Sequence, residues 1–159
     1  MTIHRIKFTS RQLAESMLGD PNTAVISIGS PGVPEAQLAP TFISVLRLSF
    51  FDAVPADPYM PSRPGLFDGH MARQVIDYIG KLHATEMDFT LLVHCELGVS
   101  RSAAVALFAE AYSGAPLDAR EFTFDANPWV IEQLEAQSPP VVVAIPPREA
   151  AHDRRRATR

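Results

Sequence analysis

The chain has 159 residues and a mass of 17.4 kDa; 47% of the residues are hydrophobic, 20% are charged, and the mean hydropathy is +0.03. That length and apolar content suit one domain with a buried core and exclude wholesale disorder. No apolar run approaches the roughly 18–20 residues that span a bilayer. The single cysteine, Cys95, excludes an internal disulfide and a four-thiolate zinc site.

The first eleven residues mix Arg5, Lys7 and Arg11 with polar groups and lack the apolar block of a signal peptide. The expectation is a soluble, cytoplasmic protein with no membrane partner. A net charge of −4 conceals an asymmetry, because residues 148–159 hold five arginines against Glu149 and Asp153. That basic segment carries no aromatic residue to stack on a base, and the body of the chain is acidic, so nucleic acid is not an expected partner. Residues 148–159 read as a basic, flexible tail on a domain of residues 1–147.

In chain order, Thr9 is placed to cap a short helix to Leu18, with Gln12 completing a capping box and Gly19 stopping it. Residues 23–28 are apolar and β-branched and predict a buried strand. A glycine- and proline-rich loop follows at 30–34, then a second strand at 42–51 ending at Asp52. Pro55, Pro58, Pro61 and Pro64 make the next stretch an irregular loop. Asp68 caps a long helix whose Met71, Val75, Tyr78, Ile79 and Leu82 share one face. Residues 89–93 form a short buried strand, and 100–112 an alanine-rich helix stopped by Gly114 and Pro116. Asn127-Pro128 is a cap and first-turn proline opening a last helix, with Trp129, Val130 and Leu134 inward. Residues 141–145 suit a short edge strand or an extended arm. Strands alternate with helices and continuous apolar runs are joined by long crossovers. The expected fold is therefore a single α/β three-layer domain: a mainly parallel sheet of four or five strands with helices on both faces.

The stretch from Leu92 to Ser102, Leu-Val-His-Cys-Glu-Leu-Gly-Val-Ser-Arg-Ser, carries the chemistry. A buried strand ends at Cys95, a short loop turns, and a helix leaves. Such a turn aims backbone N–H groups and a helix N-terminus at one point, which favours an anion there, whether a thiolate or a phosphate. Gly98 permits positive φ and close backbone approach. Arg101 offers a planar fork matched to two phosphate oxygens. A thiolate beneath a bound phosphate is a nucleophile placed for in-line attack. Ser102 is positioned to donate to the sulfur, and His94 to brace the loop. The bland readings stand beside these: a lone cysteine as a small buried hydrophobe, Arg101 as an ion-paired arginine, Ser102 as support for the helix start. His4, His70, His83 and His152 show no ligand-like spacing, so no metal site is expected.

His94-Cys95, five residues, Arg101 and Ser102 together resemble the signature of cysteine-dependent protein tyrosine phosphatases. The Gly-Val-Ser-Arg-Ser ending is most similar to the dual-specificity branch and its small bacterial relatives. The stretch from Val45 to Asp52 resembles the strand and loop that deliver that family's general acid, and 126–134 resembles its late helix. Together these likenesses cover roughly residues 23–135. The resemblance implies a two-step hydrolysis of a phosphorylated protein or small phosphomonoester, without metal or cofactor. Cys95 forms a phosphocysteine while an aspartic acid protonates the leaving group and then activates water. Residues Glu96, Leu97, Gly98, Val99, Ser100 and Arg101 would surround the phosphate.

Asp52 is favoured as the acid over Asp57. Yet 42 residues separate Asp52 from Cys95, more than small members of that family show, so the proline-rich stretch would have to bulge out as an insertion. Glu96 would oppose a phosphate unless it turns outward to a cation. The lack of lysine at 96–100 argues against inositol phosphates and for phosphotyrosine or another phosphoprotein. Two other classes stay open: a phosphate-binding module that has lost turnover, and a different loop-cysteine enzyme such as a sulfurtransferase or arsenate reductase.

Overall fold

A computed structural model of the chain describes residues 2–55 and 64–157. Four parallel strands form one sheet in the order β1 (Ile3–Ser10), β4 (Phe89–Cys95), β2 (Thr23–Gly29), β3 (Ser44–Ser49). β4 and β2 are the central pair. Apart from Thr90, half-buried in β4, and Gly29 at the end of β2, all their residues are buried, which is why both read as unbroken apolar runs rather than alternating ones.

Helices α2 (Gly69–His83), α3 (Arg101–Ser113) and α4 (Pro128–Gln137) cover the face carrying Ile26, Ile28, Leu91 and Val93. α3 lies against β1 and β4 and is buried on nearly every side from Arg101 to Ala109. Its alanines let sheet and neighbouring helices approach closely, and Gly114, at φ 76°, ends it in the left-handed conformation. Asp68 caps α2 by accepting from the Met71 N–H, and the side chain of Asn127 caps α4 by accepting from the N–H groups of Trp129 and Val130. The Trp129 indole N–H donates to the Phe67 carbonyl at 2.8 Å, so this ring is half-buried and anchored by its polar edge.

On the opposite face Val25 and Leu92 pack with Phe42, Leu38 and Ala39. Helix α1 (Arg11–Ser16) joins this layer through the segment it grips. Arg11 donates to the carbonyls of Pro34 and Glu35, and the Gln37 N–H donates to Glu15. The three layers are therefore α2–α4, the sheet, and α1 with residues 34–42. Helix α5 (Arg148–Ala157) follows, with Ala151 buried and Arg148 paired to Asp125 at 3.1 Å.

The structure adds one strand and, in the segment read as a tail, helix α5, and it moves one cap. Residues 3–10 form β1, paired along β4, where the sequence shows only a basic, polar stretch. The cap of α1 is Ser10, the last residue of β1, whose hydroxyl accepts from the Leu13 N–H; Thr9 stands one residue too early to cap a helix that begins at Arg11. Residues 141–145 take no regular structure; Val141 and Val143 lie against the core as an arm. Among the described residues no helix is long and apolar enough to cross a membrane.

Candidate active site

The four strands run parallel, so Ser10, Gly29, Ser49 and Cys95 finish at the same end of the sheet. Clefts at this end are the usual ligand sites of open α/β sheets. Residues 96–100 turn from β4 into α3 here, and they do so against the backbone of the first strand. The Arg11 N–H donates to the Glu96 carbonyl at 3.2 Å. Gly98 has φ +70°, and a Cβ at this position would stand 2.5 Å from both the Ser10 nitrogen and the Thr9 carbonyl carbon. Only glycine meets both the torsion and the approach.

Cys95 is 3% exposed, and its Sγ lies 3.2 Å from the Oγ of the fully buried Ser102. The thiol donates to this hydroxyl; with the sulfur ionised, the hydroxyl turns and donates to it. Arg101 is 5% exposed, an unusual place for a guanidinium, and it is held by oxygens. Its Nη1 donates to the Phe50 carbonyl at 2.6 Å, to Ser30 Oγ at 3.0 Å and to the Gly29 carbonyl at 3.1 Å. The ends of β2 and β3 thus fix where the fork points. Ser30 is a site residue that the sequence reading does not single out; nothing in a glycine–proline loop marks one hydroxyl among several.

His94 is buried on the opposite face of β4. Its Nε2 lies 2.6 Å from Ser27 Oγ and its Nδ1 3.4 Å from the Cys95 carbonyl. Burial holds its pKa below the ordinary value, and the bond to the Cys95 carbonyl opposes this only in part. A neutral ring accepting the Ser27 proton at Nε2 fits both contacts.

Asp52, just past β3, reaches the same corner. Its Oδ1 accepts from Ser100 Oγ at 2.7 Å and from Asn127 Nδ2 at 2.8 Å, and the Asn127 amide also donates to the Ala53 carbonyl at 3.2 Å. Asn127 is 3% exposed. Its capping of α4 is legible in the sequence, but its grip on Asp52, 75 positions away, is not. The Phe51 N–H donates to the Gly65 carbonyl at 2.7 Å, so the proline-rich excursion leaves and returns at one point. Asp57 lies outside the described residues.

Glu96 turns away from the loop's centre. Its carboxylate is 59% exposed, 4.0 Å from the Arg11 guanidinium. Leu97 and Val99 are exposed on the loop, and Phe51 and Val54 on the Asp52 segment. Among the described residues no group of three His, Cys, Asp or Glu side chains is arranged to hold a metal ion.

No family model matches the chain, and no curated protein matches it. Among solved structures it is similar to the crystal structure of human DUSP28, at 20% identity and a TM-score of 0.41, over 91% of this chain and 84% of that one.

Proposed function

We propose that this protein is a cysteine-dependent phosphomonoester hydrolase acting on phosphotyrosine or another phosphoprotein ester. The carrying observation is a pair of contacts at the same end of the sheet: Cys95 at a strand end against Ser102, and Arg101, the residue before Ser102, held by the carbonyls of Gly29 and Phe50. With Nη1 engaged by oxygens, the rest of the fork is the part offered to a phosphate. The backbone amides of 96–100 and the start of α3 supply the remaining donors.

In the first step Cys95 attacks phosphorus as its thiolate, the bond to the leaving oxygen breaks, and an aspartic acid protonates that oxygen. In the second, water attacks phosphorus, the same carboxylate takes its proton, and the sulfur departs as a thiolate to which Ser102 donates. Asp52 is the acid we favour over Asp57, because it already sits beside the loop through Ser100. The signature ending at Ser102 supports the dual-specificity branch and its small bacterial relatives. Apolar Leu97, Val99, Phe51 and Val54, with no lysine at 96–100, suit a tyrosyl or protein ester better than a polyanionic sugar. A lone thiol that must stay reduced fits a cytoplasmic setting.

The test is hydrolysis of p-nitrophenyl phosphate with EDTA present, by the parent and by Cys95→Ser, Asp52→Asn and Asp57→Asn. Loss of turnover in Cys95→Ser together with one defective aspartate variant is the expected result. A folded parent that binds phosphate or a phosphopeptide but never turns over would establish the binding-module reading instead.

A further inference from the structure

We propose that Asn127 and Ser100 are positioning residues that jointly aim the Asp52 carboxyl group at the departing oxygen; the inference rests on the phosphatase reading above. Each residue has an ordinary explanation as a helix cap, and in each case the geometry exceeds it. Ser100 is the residue before α3, yet its side chain makes no capping bond. Its hydroxyl donates instead to Asp52 Oδ1. Asn127 does cap α4, but capping employs only its Oδ1. Its amide protons go to Asp52 Oδ1 and the Ala53 carbonyl, and its backbone N–H goes to the Ser100 carbonyl.

Every polar group of this buried amide is therefore committed. Asn127 ties the start of α4, the loop before α3 and the Asp52 segment at one point, and a fully satisfied buried polar network is rigid. Two donors converging on Oδ1 leave Oδ2 to carry the transferable proton, so the direction of proton delivery is set as well as its position. Asp52 is otherwise exposed, and among the described residues these two side chains hold its carboxylate.

The experiment compares phenyl phosphate, whose leaving group needs protonation, with p-nitrophenyl phosphate, whose leaving group needs it much less. Ser100→Ala removes a donor without touching a cap. Asn127→Ser keeps a good capping hydroxyl but is too short to hold Asp52. Each variant is expected to lower kcat on phenyl phosphate about 10-fold, part of what general acid catalysis supplies. KM should stay within about twofold, and the loss on p-nitrophenyl phosphate should be clearly smaller. Combined with Asp52→Asn, neither should add a further loss. Equal losses on both esters, losses that multiply with Asp52→Asn, or no loss at all would overturn the proposal. If Cys95→Ser abolishes turnover while Asp52→Asn is harmless on both esters, only this inference fails. If Cys95→Ser is as active as the parent, or the folded parent hydrolyses neither ester, the phosphatase reading fails and takes this inference with it.

Discussion

Gly98 and Ser10 meet backbone to backbone: a methyl group on Gly98 would stand 2.5 Å from the Ser10 nitrogen. The loop after β4 is thus held against the end of β1, and φ +70° compounds the steric demand. Gly98→Ala combines a strained torsion, about 1–3 kcal/mol, with a clash that only backbone movement relieves. We expect a fall in Tm of roughly 2–12 °C and a loss of phosphate affinity. Differential scanning fluorimetry with and without vanadate or phosphate measures both. An alanine variant as stable as the parent would contradict this packing.

Arg101 is oriented by three oxygens around one nitrogen. Lysine keeps the charge but brings no planar fork to share between these acceptors and a phosphate. Arg101→Lys should therefore fold and yet lose about 10²–10³ in kcat/KM, the scale of a lost oxyanion donor. Steady-state kinetics on an aryl phosphate reads this directly, and near-parental kcat/KM would show that the fork does not matter.

Ser102 touches the sulfur and is otherwise enclosed. If its hydroxyl stabilises the departing thiolate, Ser102→Ala slows breakdown of the phosphocysteine more than its formation. Rapid mixing should then show a burst of phenol release approaching one equivalent, followed by a steady rate lowered roughly 10-fold or more. A slower rate without a burst would put Ser102 in the first step.

His94 gives a stability prediction independent of turnover. In the unfolded chain a histidine titrates near about 6.5, whereas burial holds the folded ring lower. Between those two values the unfolded state binds the proton first, so stability falls as pH drops below about 6.5 and through the folded value. The parent's Tm should decline more steeply between pH 7 and pH 5 than that of His94→Gln. Parallel curves would mean that the acid sensitivity has another source.

The readable parts of the chain were those whose cause is local. Cys95, Gly98, Arg101 and Ser102 lie within eight residues, and strand, turn and helix are each signalled there by residue type. β2, β4 and the three large helices carry runs or periodicities that are their own evidence. β1 does not, because as an edge strand it exposes His4, Arg5 and Lys7, and a register shift between Ile3 and Arg5 breaks its alternation. The partners of the site are hidden for a related reason. Asn127 meets Asp52 across 75 positions, and Ser30 meets Arg101 across 71. Such meetings follow from strand order, which no short window contains.

The bond between the Phe51 N–H and the Gly65 carbonyl makes the stretch between them a cassette. The Phe51 ring lies so close over Gly65 that even a methyl group there would collide with it, and the junction stays closed on its own account. One carbonyl that holds Arg101 belongs to Phe50, one residue outside the junction, and Asp52 is secured from the cap of α4 and the loop before α3. The positions of Arg101 and Asp52 thus rest on bonds made from the ends of β2 and β3, from the cap of α4 and from the loop before α3.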